Sequence, residues 1–243
     1  MHNAAFEALG LGWRYNLLPV PPELFEETVR ALPASGYRGV NVTIPHKEAA
    51  LALADEATAA ARAIGAANTL SFEDGVIHAD NTDAAGLIAA LPRDPKDMTA
   101  LVLGAGGAGR AAAWALNGAG ADVAVWNRTA ERAERLAADL DVTAVEAPTE
   151  VDLVVNATSV GLAPGDVIED LPLAWIEPPR VAVELVYGEH LKPFQAWAEA
   201  SGCEVVDGLE VLVRQGALSF ERWTAQEAPL EVMRAAARGS ART

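Results

Sequence analysis

The sequence predicts an α/β fold built in two parts. Three observations predict it. Short runs of Val, Ile and Leu alternate with longer Ala-rich stretches of helical character. A polar segment with two prolines, residues 92–97, interrupts that alternation. Beyond the break, one apolar strand runs straight into the turn Gly104-Ala105-Gly106-Gly107-Ala108-Gly109.

The elements follow in order. Residues 37–44, Tyr-Arg-Gly-Val-Asn-Val-Thr-Ile, read as a strand stopped by Pro45, with a helix starting near His46 and reaching about Ala54. Residues 70–79 read as a hairpin turning at Glu73-Asp74-Gly75. After the break come a strand at 99–103, the glycine turn, a helix from about 109 to 118, a strand at 122–126 and a helix from about 131 to 139. Residues 151–156 and 180–186 read as further buried strands, and 209–224 as one long amphipathic helix. The alternation argues for parallel sheets, with domain junctions near 83–98 and near 207.

Composition excludes several functions. The 243 residues are 51% hydrophobic, enough for one large core or two smaller ones. Thirty-four acidic against 18 basic residues leave a formal charge of −16, which repels nucleic acid and anionic membranes, so neither is an expected partner. Any anionic ligand is then held by a few local donors. Cys203 is the single cysteine, so no disulfide, zinc cluster or redox pair is expected, and no metal site. No apolar run approaches the roughly 18 residues that span a bilayer, and residues 1–7 do not read as a signal peptide, so the expected location is cytoplasmic.

The glycine turn follows Leu101-Val102-Leu103 and opens a helix, the context in which it binds a dinucleotide. Gly104 permits the tight turn, Gly106 lets backbone approach a pyrophosphate, and Gly109 lets helix pack on strand, with Ala105, Gly107 and Ala108 completing the cradle. The second strand ends in Asn127-Arg128-Thr129, where NAD-preferring proteins carry a carboxylate for the ribose 2′-hydroxyl. An amide, a guanidinium and a hydroxyl, with Arg132 close behind, suit a 2′-phosphate instead, so the expected cofactor is NADP.

The half before the turn carries polar groups on short loops. Asn41 and Thr43 share one strand face, and Lys47 follows within a helical turn. Taken singly, an Asn or Asp at a turn is more often a cap, and a lone lysine is usually solvated. Their combination is specific. Residues 39–47 (Gly-Val-Asn-Val-Thr-Ile-Pro-His-Lys), 64–69 (Ile-Gly-Ala-Ala-Asn-Thr), Asn81-Thr82-Asp83, the glycine turn, Asn127-Arg128-Thr129, 156–161 (Asn-Ala-Thr-Ser-Val-Gly) and Asp207-Gly208-Leu209 with Gln215 occur in this order. Together they closely resemble the shikimate dehydrogenase family, which reduces 3-dehydroshikimate to shikimate in aromatic amino-acid biosynthesis.

That resemblance implies an N-terminal α/β substrate domain, a Rossmann-type NADP-binding domain and C-terminal helices returning to the first: residues 1–83 plus 207–243, and 84–206. It implies that Lys47 and Asp83 are catalytic and that Thr43, Asn68, Tyr187 and Gln215 hold substrate. Thr158, in the loop after Asn156, and Gly208 match the edge of the nicotinamide pocket. His46 is expected to be a spectator. The implied partner is the small-molecule substrate, and the implied assembly a monomer or homodimer. Four departures stand out. Glu184 replaces the family's usual Asp, Val211 its usual Met, and residues 92–98 are short for the family's linker. The family's opening strand and two-serine loop do not precede His2-Asn3, which implies a start placed too far downstream or a non-catalytic dinucleotide-binding relative. The undamaged motifs favour the former. A quinate dehydrogenase using NAD is disfavoured by the Asn-Arg-Thr tip.

Overall fold

The computed structural model describes residues 1–146, 150–163, 165–188 and 192–240. The chain divides into two units, Met1–Gly86 with Val213–Ser240, and Leu87–Leu212.

The first unit starts with helices α1 (His2–Ala8) and α2 (Phe25–Ala31), followed by strand β1 (Gly39–Asn41), helix α3 (Lys47–Leu53), strand β2 (Glu56–Ala57), helix α4 (Ala59–Ile64), the hairpin β3 (Thr69–Glu73) and β4 (Val76–Asp80), and helix α5 (Thr82–Ala90), whose last residues belong to the second unit. The hairpin turns where sequence chemistry directs it. Asp74 and Gly75 both take positive φ, 50° and 82°, the pair that a two-residue turn with native strand twist requires. Thr58 caps α4 by accepting from the Ala61 amide at 3.2 Å while donating to Asp80 Oδ1 at 2.6 Å. The strand expected over 37–44 is shorter. The Val42 amide still reaches Asn68 O at 2.8 Å, but Thr43 O then accepts from the His46 amide and the chain turns through a cis Ile44–Pro45 bond.

The sheet of this unit has the order β1-β3-β4-β2 and is mixed rather than parallel. β1 and β4 both run antiparallel to β3, and only β2 runs parallel to β4. A hairpin cannot place its strands in parallel, so the alternation of elements overstated parallel pairing here. Phe25, Val29, Leu53, Leu70, Phe72 and Ile77 fill the core between α2, α3 and the sheet.

The second unit comprises β5 (Thr99–Leu103), α6 (Gly107–Gly118), β6 (Asp122–Trp126), α7 (Ala130–Leu140), β7 (Thr143–Ala144), β8 (Leu153–Asn156), β9 (Val181–Glu184), α8 (Pro193–Ala200) and β10 (Glu204–Val206). Its six strands are all parallel in the order β7-β6-β5-β8-β9-β10. That is the doubly wound Rossmann order, reversing between β5 and β8. Successive residues of β5 serve opposite faces: Ala100 and Val102 join the core under α6 and α7, while Leu101 and Leu103 join the one containing Phe194 and Ala198 of α8. α9 (Gly208–Thr224) begins in this unit and continues into the first, where α10 (Leu230–Ser240) packs on α1. Among the described residues, no helix is long and apolar enough to cross a membrane.

Candidate active site

In the first unit, three chain segments converge on Lys47. It stands at the first position of α3, just past the cis-proline corner. Asp83 lies in the first turn of α5, and its Oδ2 accepts from Lys47 Nζ at 2.6 Å. Both side chains are largely shielded but not sealed, with 16% and 23% exposure, so the ammonium remains within reach of a small molecule. Asn68 Nδ2 donates to Asp83 Oδ1 at 2.8 Å, leaving neither carboxylate oxygen idle. The same amide group donates to Gln215 Oε1 at 3.1 Å and Thr82 Oγ1 at 3.0 Å, while Asn68 Oδ1 accepts from the Thr82 amide at 2.7 Å. Lys47, Asn68, Asp83 and Gln215 thus share one network, drawn from α3, the residue before β3, α5 and α9.

Two residues that build this network were not assigned a role from sequence. Thr82 lies between motif residues Asn81 and Asp83, and its hydroxyl meets Asn68, Thr69 and Gln215. Gly86 is the other. A Cβ added there would lie 2.7–2.8 Å from the Cβ, Cα and N atoms of Gln215, so α5 and α9 meet at this residue because it has no side chain. Asn41 extends the network outward, donating to Thr69 Oγ1 at 3.2 Å and accepting from Tyr15 Oη at 3.1 Å.

Thr43 is exposed at the corner before Pro45 and is not part of the Asn68 network among the described residues. His46 is occupied structurally: its ring stacks on Phe25 at 4.5 Å, and Nε2 lies 2.9 Å from Val20 O.

In the second unit, the glycine turn joins β5 to α6 at the point of strand reversal. Gly104 has φ +107°, and an added Cβ would meet Ala157 O at 2.8 Å; at Gly109 it would meet Gly104 O at 1.9 Å. At Gly106 it would meet nothing within 4 Å. The outer rim of the turn is therefore open backbone at the N-terminus of a 12-residue helix, a fitting seat for a pyrophosphate. The helix starts at Gly107, two residues earlier than expected, anchored by the Arg110 amide on Gly106 O. Asn127 braces the turn from the next strand: Oδ1 accepts from the Ala105 amide at 3.1 Å, and Nδ2 donates to Thr129 O at 2.9 Å. Arg128 and Arg132 are exposed beside it, without ion-pair partners among the described residues. Thr158 Oγ1 donates to Asn156 Oδ1 at 2.7 Å and accepts from the Val160 amide at 3.1 Å. Tyr187 follows the end of β9 and is 52% exposed, and Gly208 opens α9 with room only for hydrogen, 2.5 Å separating an added Cβ from Val186 O.

A doubly wound unit with an open glycine turn, joined in one chain to a unit holding a lysine–aspartate pair, defines a two-unit α/β protein of dehydrogenase type. Comparison narrows the class. Residues 1–70 match the shikimate dehydrogenase substrate binding domain, 88–161 the shikimate / quinate 5-dehydrogenase model, and 208–238 the shikimate 5′-dehydrogenase C-terminal domain. Shikimate dehydrogenase (NADP(+)) of Methanopyrus kandleri is 42% identical over 97% of this chain and 88% of its own. That of Paracoccus denitrificans is 44% identical over 93% and 85%. The crystal structure of shikimate 5-dehydrogenase from Thermus thermophilus in complex with NADP(H) and shikimate superposes with a TM-score of 0.89 at 41% identity, covering 98% of this chain and 92% of that one. The chain belongs to the shikimate dehydrogenase family.

Proposed function

We propose that this protein catalyses the reversible, NADP-dependent reduction of 3-dehydroshikimate to shikimate. The observation that carries the reading is the 2.6 Å Lys47–Asp83 pair, whose carboxylate is fixed on its far side by Asn68. When bound, NADPH supplies a hydride. The substrate carbonyl carbon accepts it, and the electron pair left on oxygen takes a proton from Lys47 Nζ. Lys47 suits that task because an ammonium has three donors and Asp83 uses one, leaving two to face the developing alkoxide. Asp83 aims the lysine and keeps its charge balanced, and Asn68 keeps Asp83 from rotating.

Gln215, fixed by Asn68 and Thr82, and Thr43 at the exposed corner are assigned to the substrate's hydroxyls and carboxylate, together with Tyr187. The glycine turn from Gly104 to Gly109 holds the pyrophosphate through backbone amides. Arg128 and Arg132 hold the 2′-phosphate, with Asn127 shaping the turn and Thr129 at its rim. Thr158 and Gly208 border the nicotinamide. The intact Lys47–Asp83–Asn68–Gln215 network argues against a non-catalytic relative. Assay of the chain with shikimate and either NADP or NAD tests the reading. Shikimate-dependent reduction of NADP, at a kcat/KM well above that with NAD, is expected; absence of turnover with shikimate under both cofactors would overturn it.

A further inference from the structure

Glu184 is the one acidic side chain in the protein with no exposure at all among the described residues, at the C-terminal end of β9. Burying a carboxylate is costly unless donors surround it, so its partners indicate its use. Asn156 sits opposite it in the parallel β8–β9 register, and Asn156 Nδ2 donates to both carboxylate oxygens at 3.0 Å. The Val186 amide donates to Oε1 at 2.8 Å. The nearly buried Lys192 supplies positive charge, its Cδ lying 3.5 Å from where a Cβ on Gly161 would sit.

These bonds lock strand-end loops rather than strands. Through Asn156 the carboxylate holds the turn 156–160, since Asn156 Oδ1 accepts from both the amide and the hydroxyl of Thr158, and Nδ2 also reaches Val160 O. Through the Val186 amide it holds the approach to Tyr187, and Val186 O is the atom against which Gly208 closes. The loops after β8 and β9 therefore rest on one carboxylate, with Gly208, after β10, packed close against Val186 O, at the carboxyl ends of the strands where a doubly wound sheet binds its ligand. Burial raises the Glu184 pKa to about 7, opposed by the Val186 and Asn156 bonds and the charge of Lys192. A neutral side chain would avoid that cost.

We propose that Glu184 is a positioning residue for hydride transfer, acting through Asn156 and Val186 to fix Thr158 and Gly208 beside the nicotinamide and Tyr187 for the substrate. The proposal rests on the NADP-dependent reading above. Its test compares Glu184→Gln and Glu184→Asp with the wild-type enzyme, measuring kcat, KM for shikimate, Kd for NADPH, the deuterium isotope effect on kcat, and melting temperature. Glu184→Gln sets an amide NH2 against that of Asn156. It is expected to lower kcat by about tenfold or more and raise the isotope effect, with NADPH affinity changed by less than about threefold. Glu184→Asp, which keeps the acceptor, should recover most of kcat. Thr158→Val, which cuts the same clamp without touching the buried carboxylate, should lower kcat in the same way should Glu184→Gln fail to fold. A lower melting temperature in both Glu184 variants with kcat of the folded enzyme unchanged would overturn the proposal. Wild-type turnover, measured alongside, tests the underlying reading separately.

Discussion

Arg128 and Arg132 stand out because of the charge around them. A protein with net charge −16 repels a phosphorylated cofactor at long range, so binding depends on local donors. Both side chains are exposed, Arg128 just after β6 and Arg132 in the first turn of α7, and are without ion-pair partners among the described residues, which leaves them available to a 2′-phosphate. Arg128→Ala should therefore weaken NADPH by about 10- to 100-fold and leave NADH nearly unchanged, as measured by fluorescence titration. Equal losses for both cofactors would remove Arg128 from phosphate recognition. His2 sets a second, pH-dependent effect. Its ring is 3% exposed, stacked on Tyr15 at 4.4 Å with Trp223 nearby, and burial lowers its pKa from 6.5 to about 4. Between those values the unfolded chain binds more protons than the folded one, so stability rises with pH across that window and is lost as pH falls. The shift corresponds to about 3 kcal/mol. Melting curves of His2→Leu should gain on the wild type steadily from about pH 7 down to about pH 4, and a gap independent of pH would contradict the neutral buried imidazole.

Elements differ in how much of them the sequence reveals. β5 and β6 match their expected limits because each is a short apolar run bounded by polar or glycine punctuation. α6 begins two residues early because Gly107 and Ala108 give no apolar periodicity, yet the Arg110 amide closes a turn on Gly106. β10 is three residues on a sheet edge and α4 six residues, too short for a periodic signal. The crossing of α5 and α9 left no mark beyond Gly86, a glycine inside a helix. Gly86→Ala should part the helices, because its Cβ would meet Gln215 backbone rather than a movable side-chain end. The expected cost is about 1–3 kcal/mol in thermal unfolding, with an increased KM for shikimate as Gln215 withdraws from Asn68 and Thr82. Unchanged KM and stability would show that the crossing does not place Gln215.

At the scale of the whole molecule, the proposed chemistry is divided between two units that sequence separates in different ways. The geometry of the glycine-turn side was legible from sequence, since its motif is local and follows from three glycines and the strand before them. The other side was legible only as a family pattern. Lys47 and Asp83 are 36 residues apart, and Asn68 and Gln215 are 147 apart, so no spacing rule pairs them. The mixed first sheet likewise departed from the parallel pairing expected, because the hairpin dictates its own direction. This division of labour predicts that proton delivery can be removed without disturbing the cofactor. The direct measurement is kcat for shikimate oxidation by Lys47→Ala beside its Kd for NADPH. The account predicts a fall in kcat on the order of 10³-fold with NADPH affinity unchanged. A loss of less than tenfold in kcat, or a parallel loss of NADPH binding, would contradict it.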